Sequence, residues 1–258
     1  MVKSFRQKQT RPKKSQLIPG LASVCMALEQ GEQLERIYLQ KGLKATQVDV
    51  LNRLASSRQV PVNLVPVEKL NHFHVEQHEG CIALKARIHY KDLQDVISWV
   101  QEKGEAPLFL LLDGITDIRN IGAIARTAWC SGVQCLIIPD KGVGALNEEA
   151  ILTSAGALEL ISVCRVQSLM KAVDTLHLNG ILVFASEMTA EKKLFDLDLT
   201  VPAAIVLGGE EKGIYPALRK ICDEQIQIPM HRNFESLNVS VAAGMMLYEA
   251  MRQRGRAV

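Results

Sequence analysis

From residue 106 onward, short apolar runs alternate with amphipathic segments, and this alternation constrains the fold more than any other feature of the chain. The runs at 108–112, 135–138, 160–163, 181–184, 204–207 and 225–228 read as strands. Segments 121–130, 147–155, 168–176, 215–220 and 238–253 read as helices. Strand–helix alternation is the pattern of a mostly parallel sheet with helices on both faces, so the expected class is α/β.

Upstream the pattern is shorter in period. Residues 1–15 are polar and basic without periodicity, which predicts a disordered tail. Residues 16–88 read as a small α/β domain, with helices at 21–28 and 48–57, a short helical turn at Lys69 and Leu70, and strands at 36–39, 60–65 and 80–86. Residues 89–105 read as an amphipathic linker helix carrying Leu93, Val96, Ile97, Trp99 and Val100, and the second domain as 106–258. No apolar run approaches the roughly 20 residues of a membrane helix, and the basic N-terminus has no apolar core behind it, so no secretory signal is expected.

Charge and cysteine usage narrow the partners. Net charge is +2, but Lys3, Arg6, Lys8, Arg11, Lys13 and Lys14 supply six positive charges before residue 15. The remainder carries 24 basic and 28 acidic residues, a balance of −4, so any nucleic-acid surface on the body must be local. Six cysteines are scattered with no C-x-x-C pair, which argues against zinc and against a disulfide framework and suits the cytoplasm. Cys130 and Cys135 sit among apolar neighbours and are expected in the core. His72, His74 and His78 lack a completing carboxylate or thiolate and are expected as loop residues, with no metal.

Three stretches could carry chemistry. In the first, Asp113 ends a strand and a loop leads to Asn120 at a helix start, with Arg126 six residues on. Six helical residues turn about 600°, so the two share a face only if Asn120 flanks the helix rather than belonging to it. Arg126 stands among Ile124, Ala125 and Ala128, where a buried charge would need a partner, either Asp113 or Asp117 or a bound phosphate or carboxylate. In the second, the apolar run Ile205-Val206-Leu207 ends in Gly208-Gly209-Glu210-Glu211-Lys212-Gly213. This is neither a dinucleotide nor a phosphate-loop signature, because Ile214 stands where the lysine must be. Its two acids fit a cofactor that is cationic or rich in hydroxyls. In the third, a strand stops at Pro229 and Ser236-Leu237-Asn238 opens the last helix with side chains suited to capping. Each loop follows a strand, so the three could meet at the C-terminal edge of the sheet, where open α/β sheets bind ligands.

Together these stretches resemble the three motifs of the SpoU (TrmH-like) RNA 2′-O-ribose methyltransferases of the SPOUT superfamily. They stand here as Asn120-x-Gly122-x-x-x-Arg126, Leu207-Gly208-Gly209-Glu210-x-x-Gly213, and Ile228-Pro229-Met230 with Ser236-Leu237-Asn238. Residues 16–88 more weakly resemble the ribosomal-protein-L30-like RNA-binding domain that many of these enzymes carry. The resemblance implies a trefoil-knotted, mostly parallel sheet flanked by helices and a homodimer through the C-terminal domain. It also implies transfer of a methyl group from S-adenosylmethionine to a ribose 2′-hydroxyl, with 23S rRNA guanosine the nearest branch. By position it assigns catalysis to Asn120, Arg126, Glu210, Ser236 and Asn238. It assigns the cofactor pocket to Leu207, Gly208, Gly209, Ile228, Met230, Ser236 and Leu237.

The small domain departs from the family at Leu21-Ala22 and His78-Glu79-Gly80, which bears on the RNA target. Gly209 stands where many relatives carry Ala or Ser, a change expected to be mild. Alternative readings are a tRNA or antibiotic-resistance rRNA 2′-O-methyltransferase, or a non-catalytic RNA-binding assembly factor that kept the fold.

Overall fold

The computed structural model describes residues 16–43, 45–144, 146–232 and 236–255; the basic tail lies outside them. The chain divides into two units, 1–86 and 87–258. In the first, β1 (Leu17–Pro19), α1 (Leu21–Glu29), β2 (Leu34–Gln40), α2 (Ala45–Ser57), β3 (Val62–Val65), α3 (Val67–Asn71) and β4 (Cys81–Lys85) form a sheet of order β1-β4-β2-β3 under helices. Only β2 and β3 run parallel. One face buries Val24, Leu28, Ile37, Leu39 and Leu51. The other packs Leu17, Val65, Leu70 and Ile82 against Tyr38 and Phe73, whose rings lie 5.1 Å apart. His78 sits between the Asn71 amide (3.1 Å) and the Gly80 N–H, which donates to Nδ1 (3.1 Å), so it shapes the turn into β4.

The second unit begins with α4 (Leu93–Glu102) and β5 (Leu108–Asp113), α5 (Ile118–Cys130), β6 (Cys135–Pro139), α6 (Glu148–Thr153), α7 (Ala157–Leu160) and β7 (Ser162–Val166). It continues with α8 (Leu169–Leu178), β8 (Leu182–Ser186), β9 (Lys192–Lys193), β10 (Ala203–Gly208), α9 (Pro216–Lys220), β11 (Glu224–Gln227) and α10 (Val239–Gln253). Its seven-stranded sheet has the order β7-β6-β5-β10-β8-β11-β9, and every pair is parallel. Alternate side chains of a strand face opposite sides. Leu108, Leu110 and Leu112 of β5 therefore join a core with α5 and α10, while Phe109 and Leu111 join a second core with α4 and α8. β10 is inserted between β5 and β8, and α10 returns from β11 to pack on α5.

Residues 89–105, expected as a linker, belong to this second unit. Tyr90 bridges to Val163, the Lys91 N–H donates to the Val163 carbonyl (2.9 Å), and α4 buries Leu93, Val96, Ile97 and Val100. The expected strand at 160–163 starts later, at Ser162, because Leu160 closes α7. Cys135 is buried with its Sγ 3.3 Å from that of Cys164, and burial holds its thiol pKa well above the usual range. Cys130, expected in the core, is exposed: it falls on the outer side of the last turn of α5.

The end of α10 is clamped to the start of β5 and to the approach to β10. Arg254 donates from Nε to the Leu199 carbonyl (2.7 Å), from Nη1 to Ala106 (2.7 Å), and from Nη2 to Val201 (2.7 Å) and Pro107 (3.0 Å). Gln253 adds a reciprocal pair, accepting from the Leu199 N–H (2.7 Å) and donating to the Leu197 carbonyl (2.9 Å). Losing a charged fork that serves four carbonyls should cost about 3 kcal/mol or more, since one hydrogen bond to a charged group contributes about 1.5–3 kcal/mol net and the four bonds of one side chain are not additive. Arg254→Ala is thus expected to lower the urea midpoint of the C-terminal unit at unchanged m-value. Arg254→Lys should recover less than half, because an ammonium cannot reproduce the planar fork. An unshifted midpoint for Arg254→Ala would show the clamp to be dispensable.

Candidate active site

Two of the three loops are fastened to one another. The Gly209 N–H donates to the Asp113 carbonyl (2.8 Å), and the Tyr215 N–H to Asp113 Oδ2 (2.6 Å). The loop between closes on itself through Gly213 N–H to the Gly209 carbonyl (2.8 Å). A Cβ at Gly208 would lie 2.4 Å from the Gly213 carbonyl carbon and 2.5 Å from the Ile214 nitrogen. One at Gly209 would lie 2.4 Å from the Gly114 carbonyl oxygen. The glycines are needed because backbone meets backbone. Ala or Ser at 209, expected to be mild, would in this chain displace the Gly114 peptide.

On this frame three polar side chains converge. Asn238 caps α10: its Oδ1 accepts from the Ser240 N–H (2.9 Å) and hydroxyl (2.5 Å). A backbone N–H can only donate, so the cap fixes the amide orientation and leaves Nδ2 facing the site. Asn238 Nδ2 donates to Glu210 Oε1 (2.8 Å) and to Asn120 Oδ1 (3.1 Å), and Asn120 Nδ2 donates to the same Glu210 oxygen (3.2 Å). Glu210 is therefore held through Oε1 by two amides, while Oε2 has no partner among the described residues and is open to a donor such as a hydroxyl.

Arg126 does not join this cluster within the chain. α5 starts at Ile118 with Asp117 as its N-cap, so Asn120 is helical and the six-residue separation turns Arg126 to another side. Nor is Arg126 buried. Ile124, Ala125 and Ala128 face inward and Arg126 is exposed, so the expected ion pair with Asp113 or Asp117 does not form. Asp117 instead pairs with Arg119 (2.9 Å), whose hydrogen bonds hold the Asp117 carboxyl below the usual carboxylate range.

Two adjoining cavities open beside the cluster. The first, about 490 Å³, is lined by Leu207, Gly208, Gly209, Ile228, Ser236 and Leu237, six of the seven residues expected around a cofactor. Met230 is not among its lining residues. The second, about 400 Å³, is lined by Gly114 to Asp117, Asn120 and Gly142. Both share Gly209, Glu210, Lys212, Gly213 and Val239, so Glu210 stands in the wall between them. Sequence reasoning missed Glu187, Arg219 and Gln227 on the first cavity, none of which lies in a motif; the only signal was an acid just past the end of an apolar run.

Comparison with known proteins gives the family. Residues 107–248 match the SpoU rRNA methylase family, and residues 17–90 match the RNA 2′-O ribose methyltransferase substrate-binding domain. YacO of Bacillus subtilis, assigned by name to the TrmH family of tRNA/rRNA methyltransferases, is 32% identical over 235 residues, covering 91% of this chain and 94% of that protein. A Staphylococcus haemolyticus protein assigned to the same family is 34% identical over 238 residues, covering 92% and 96%. The SpoU methyltransferase AviRb of Streptomyces viridochromogenes, crystallised in complex with AdoMet, superposes with a TM-score of 0.59 at 25% identity, covering 93% of this chain and 91% of that one. The chain belongs to the SpoU rRNA methylase family, as an RNA 2′-O-ribose methyltransferase of the TrmH/SpoU type.

Proposed function

We propose that the protein transfers the methyl group of S-adenosylmethionine to the ribose 2′-hydroxyl of a guanosine in 23S rRNA, in the cytoplasm. The observation that carries this reading is Glu210, held by Asn120 and Asn238 in the wall between two cavities, which is where methyl donor and acceptor must meet. The first cavity has the size of an ordinary small-molecule site. Its lining mixes apolar groups with exposed backbone at Gly208 and Gly209, which suits an adenosyl group. When bound there, the cofactor supplies an electrophilic methyl on a sulfonium. Transfer is an in-line displacement, so orientation of the 2′-hydroxyl contributes much of the rate. Glu210 Oε2 would accept from that hydroxyl and take its proton as the S–CH3 bond gives way to O–CH3, leaving a neutral thioether; the two amides fix Glu210, and Ser236 would order the cofactor side.

Arginine stays protonated at any working pH and is a poor general base. Arg126 instead binds a phosphate and orients the acceptor ribose. Val241, Met245 and Tyr248, spaced i, i+4 and i+7, form an exposed apolar stripe on α10, and α5, on which α10 packs, exposes Arg126 and Trp129. A homodimer through this face places Arg126 in the interface, beside a second copy of the site. The substrate-binding domain at 17–90 supplies the RNA grip.

Calorimetry with S-adenosylhomocysteine tests the reading, with binding in the micromolar range expected; RNA binding without cofactor binding would make the protein an assembly factor. Mapping 2′-O-methyl groups in RNA from a deletion strain then identifies the nucleotide. A missing mark in tRNA with intact 23S rRNA would overturn the target.

A further inference from the structure

The geometry points to Glu187, pinned by Arg219, as the acceptor for the ribose 2′,3′-diol of the bound adenosyl cofactor. This rests on the cofactor reading above. Glu187 follows the last residue of β8, and Arg219 lies on α9; both line the first cavity and neither lines the second. Arg219 Nη1 donates to Glu187 Oε2 at 2.5 Å, with the carboxylate the more enclosed of the two. Glu187 Oε1 has no partner among the described residues.

The loop that carries the carboxylate is held at both ends. Glu187 N–H donates to the Ile226 carbonyl (2.8 Å), and the Gln227 side-chain amide donates to the Ala190 carbonyl. Gln227 also lines the cavity. Such a carboxylate loses little freedom on accepting a ligand, which favours binding.

The chemistry selects the donor. An acid and a guanidinium in contact are neutral as a pair, so they neither draw the sulfonium away from the shared wall nor repel it. Pairing through Oε2 leaves an acceptor with no proton to give, which suits neighbouring hydroxyls. The methyl must face the wall shared with the second cavity. Glu187 and Arg219 line the first cavity alone and are not part of that wall, so they are left for the part of the cofactor that does not react. Arg219 is thus a positioning residue, acting through Glu187.

The test compares three ligands by calorimetry: S-adenosylhomocysteine, its 2′-deoxy analogue, and 5′-methylthioadenosine, which keeps the ribose and lacks the amino-acid arm. Wild type is expected to bind the 2′-deoxy analogue about tenfold more weakly, the worth of one charge-assisted hydrogen bond. Glu187→Ala should bind S-adenosylhomocysteine and 5′-methylthioadenosine about ten- to a hundredfold more weakly, with the 2′-deoxy discrimination gone. Arg219→Ala should weaken both several-fold, and adding it to Glu187→Ala should cost nothing more, the signature of action through one partner. Melting curves of each variant matching wild type keep the comparison free of folding effects. Loss confined to S-adenosylhomocysteine would assign Glu187 to the cofactor's amino group and overturn the proposal, as would affinity within twofold of wild type. Wild type that binds none of the three fails the cofactor reading itself, a different outcome.

Discussion

Arg126→Ala is expected to cut methyl transfer by about a hundredfold or more while S-adenosylhomocysteine binds within about threefold of wild type. Removing one well-placed donor from a reacting oxygen typically costs this much. The side chain is exposed, makes no hydrogen bond or ion pair among the described residues, and lines neither cavity. Its loss should therefore leave the fold of the single chain within about 0.5 kcal/mol of wild type, the usual range for surface substitutions. Single-turnover methylation with saturating cofactor separates the transfer step from binding. Arg126→Lys keeps the charge and loses the fork, and should recover only part of the rate. Activity within a few-fold of wild type in Arg126→Ala would remove the arginine from the mechanism altogether, whether as phosphate ligand or as ribose orienter.

The second large effect is steric. In Gly208→Ala the new methyl would sit 2.4 Å from one backbone carbon and 2.5 Å from a backbone nitrogen. Neither can step aside. Ile214 is buried at 3% exposure, Tyr215 N–H is bonded to Asp113, and Gly209 N–H is bonded to the Asp113 carbonyl. Overpacking of this kind costs about 1–3 kcal/mol, and here the displaced atoms form the cavity wall. We expect affinity for S-adenosylhomocysteine to fall by more than about tenfold, alongside a lower melting temperature. Gly213→Ala is the informative control. At φ +63° a side chain is strained by about 1–2 kcal/mol, but its Cβ would meet nothing within 4 Å. It should lose stability and keep most of its cofactor affinity. Equal binding by Gly208→Ala and wild type would mean that the loop yields and does not define the pocket.

The sheet was legible because its inner strands are continuous apolar runs, and strands at 108–112, 135–138 and 204–207 fall within a residue of the observed ends. β1 and β9 carry too few residues to show a period. The apolar stripe of α4 was visible, but a stripe does not say what covers it, and Leu93 to Val100 proved to be core rather than linker. Asn120 looked like a cap because its side chain can cap, and Asp117, three residues earlier, does so instead. Arg126 looked buried because its sequence neighbours are apolar. Helical spacing turns those neighbours inward and the arginine out. The Asn120–Glu210–Asn238 contact joins residues up to 118 positions apart, and only the motif resemblance, not periodicity, could bring them together. Glu187 and Arg219 had neither.

Asn238 holds the start of α10 through its oxygen and Glu210 through its nitrogen. The residue is thus under two demands that few side chains meet at once. Asp, Ser or Thr would keep the helix start, because each offers an acceptor at the right reach. None of them presents the amide donor that Glu210 receives. Gln offers the donor but is one methylene too long to cap. Among the twenty residues, asparagine alone satisfies both, so neutral drift at this position is closed, and a loss of activity on substitution there reports on the helix as much as on the chemistry.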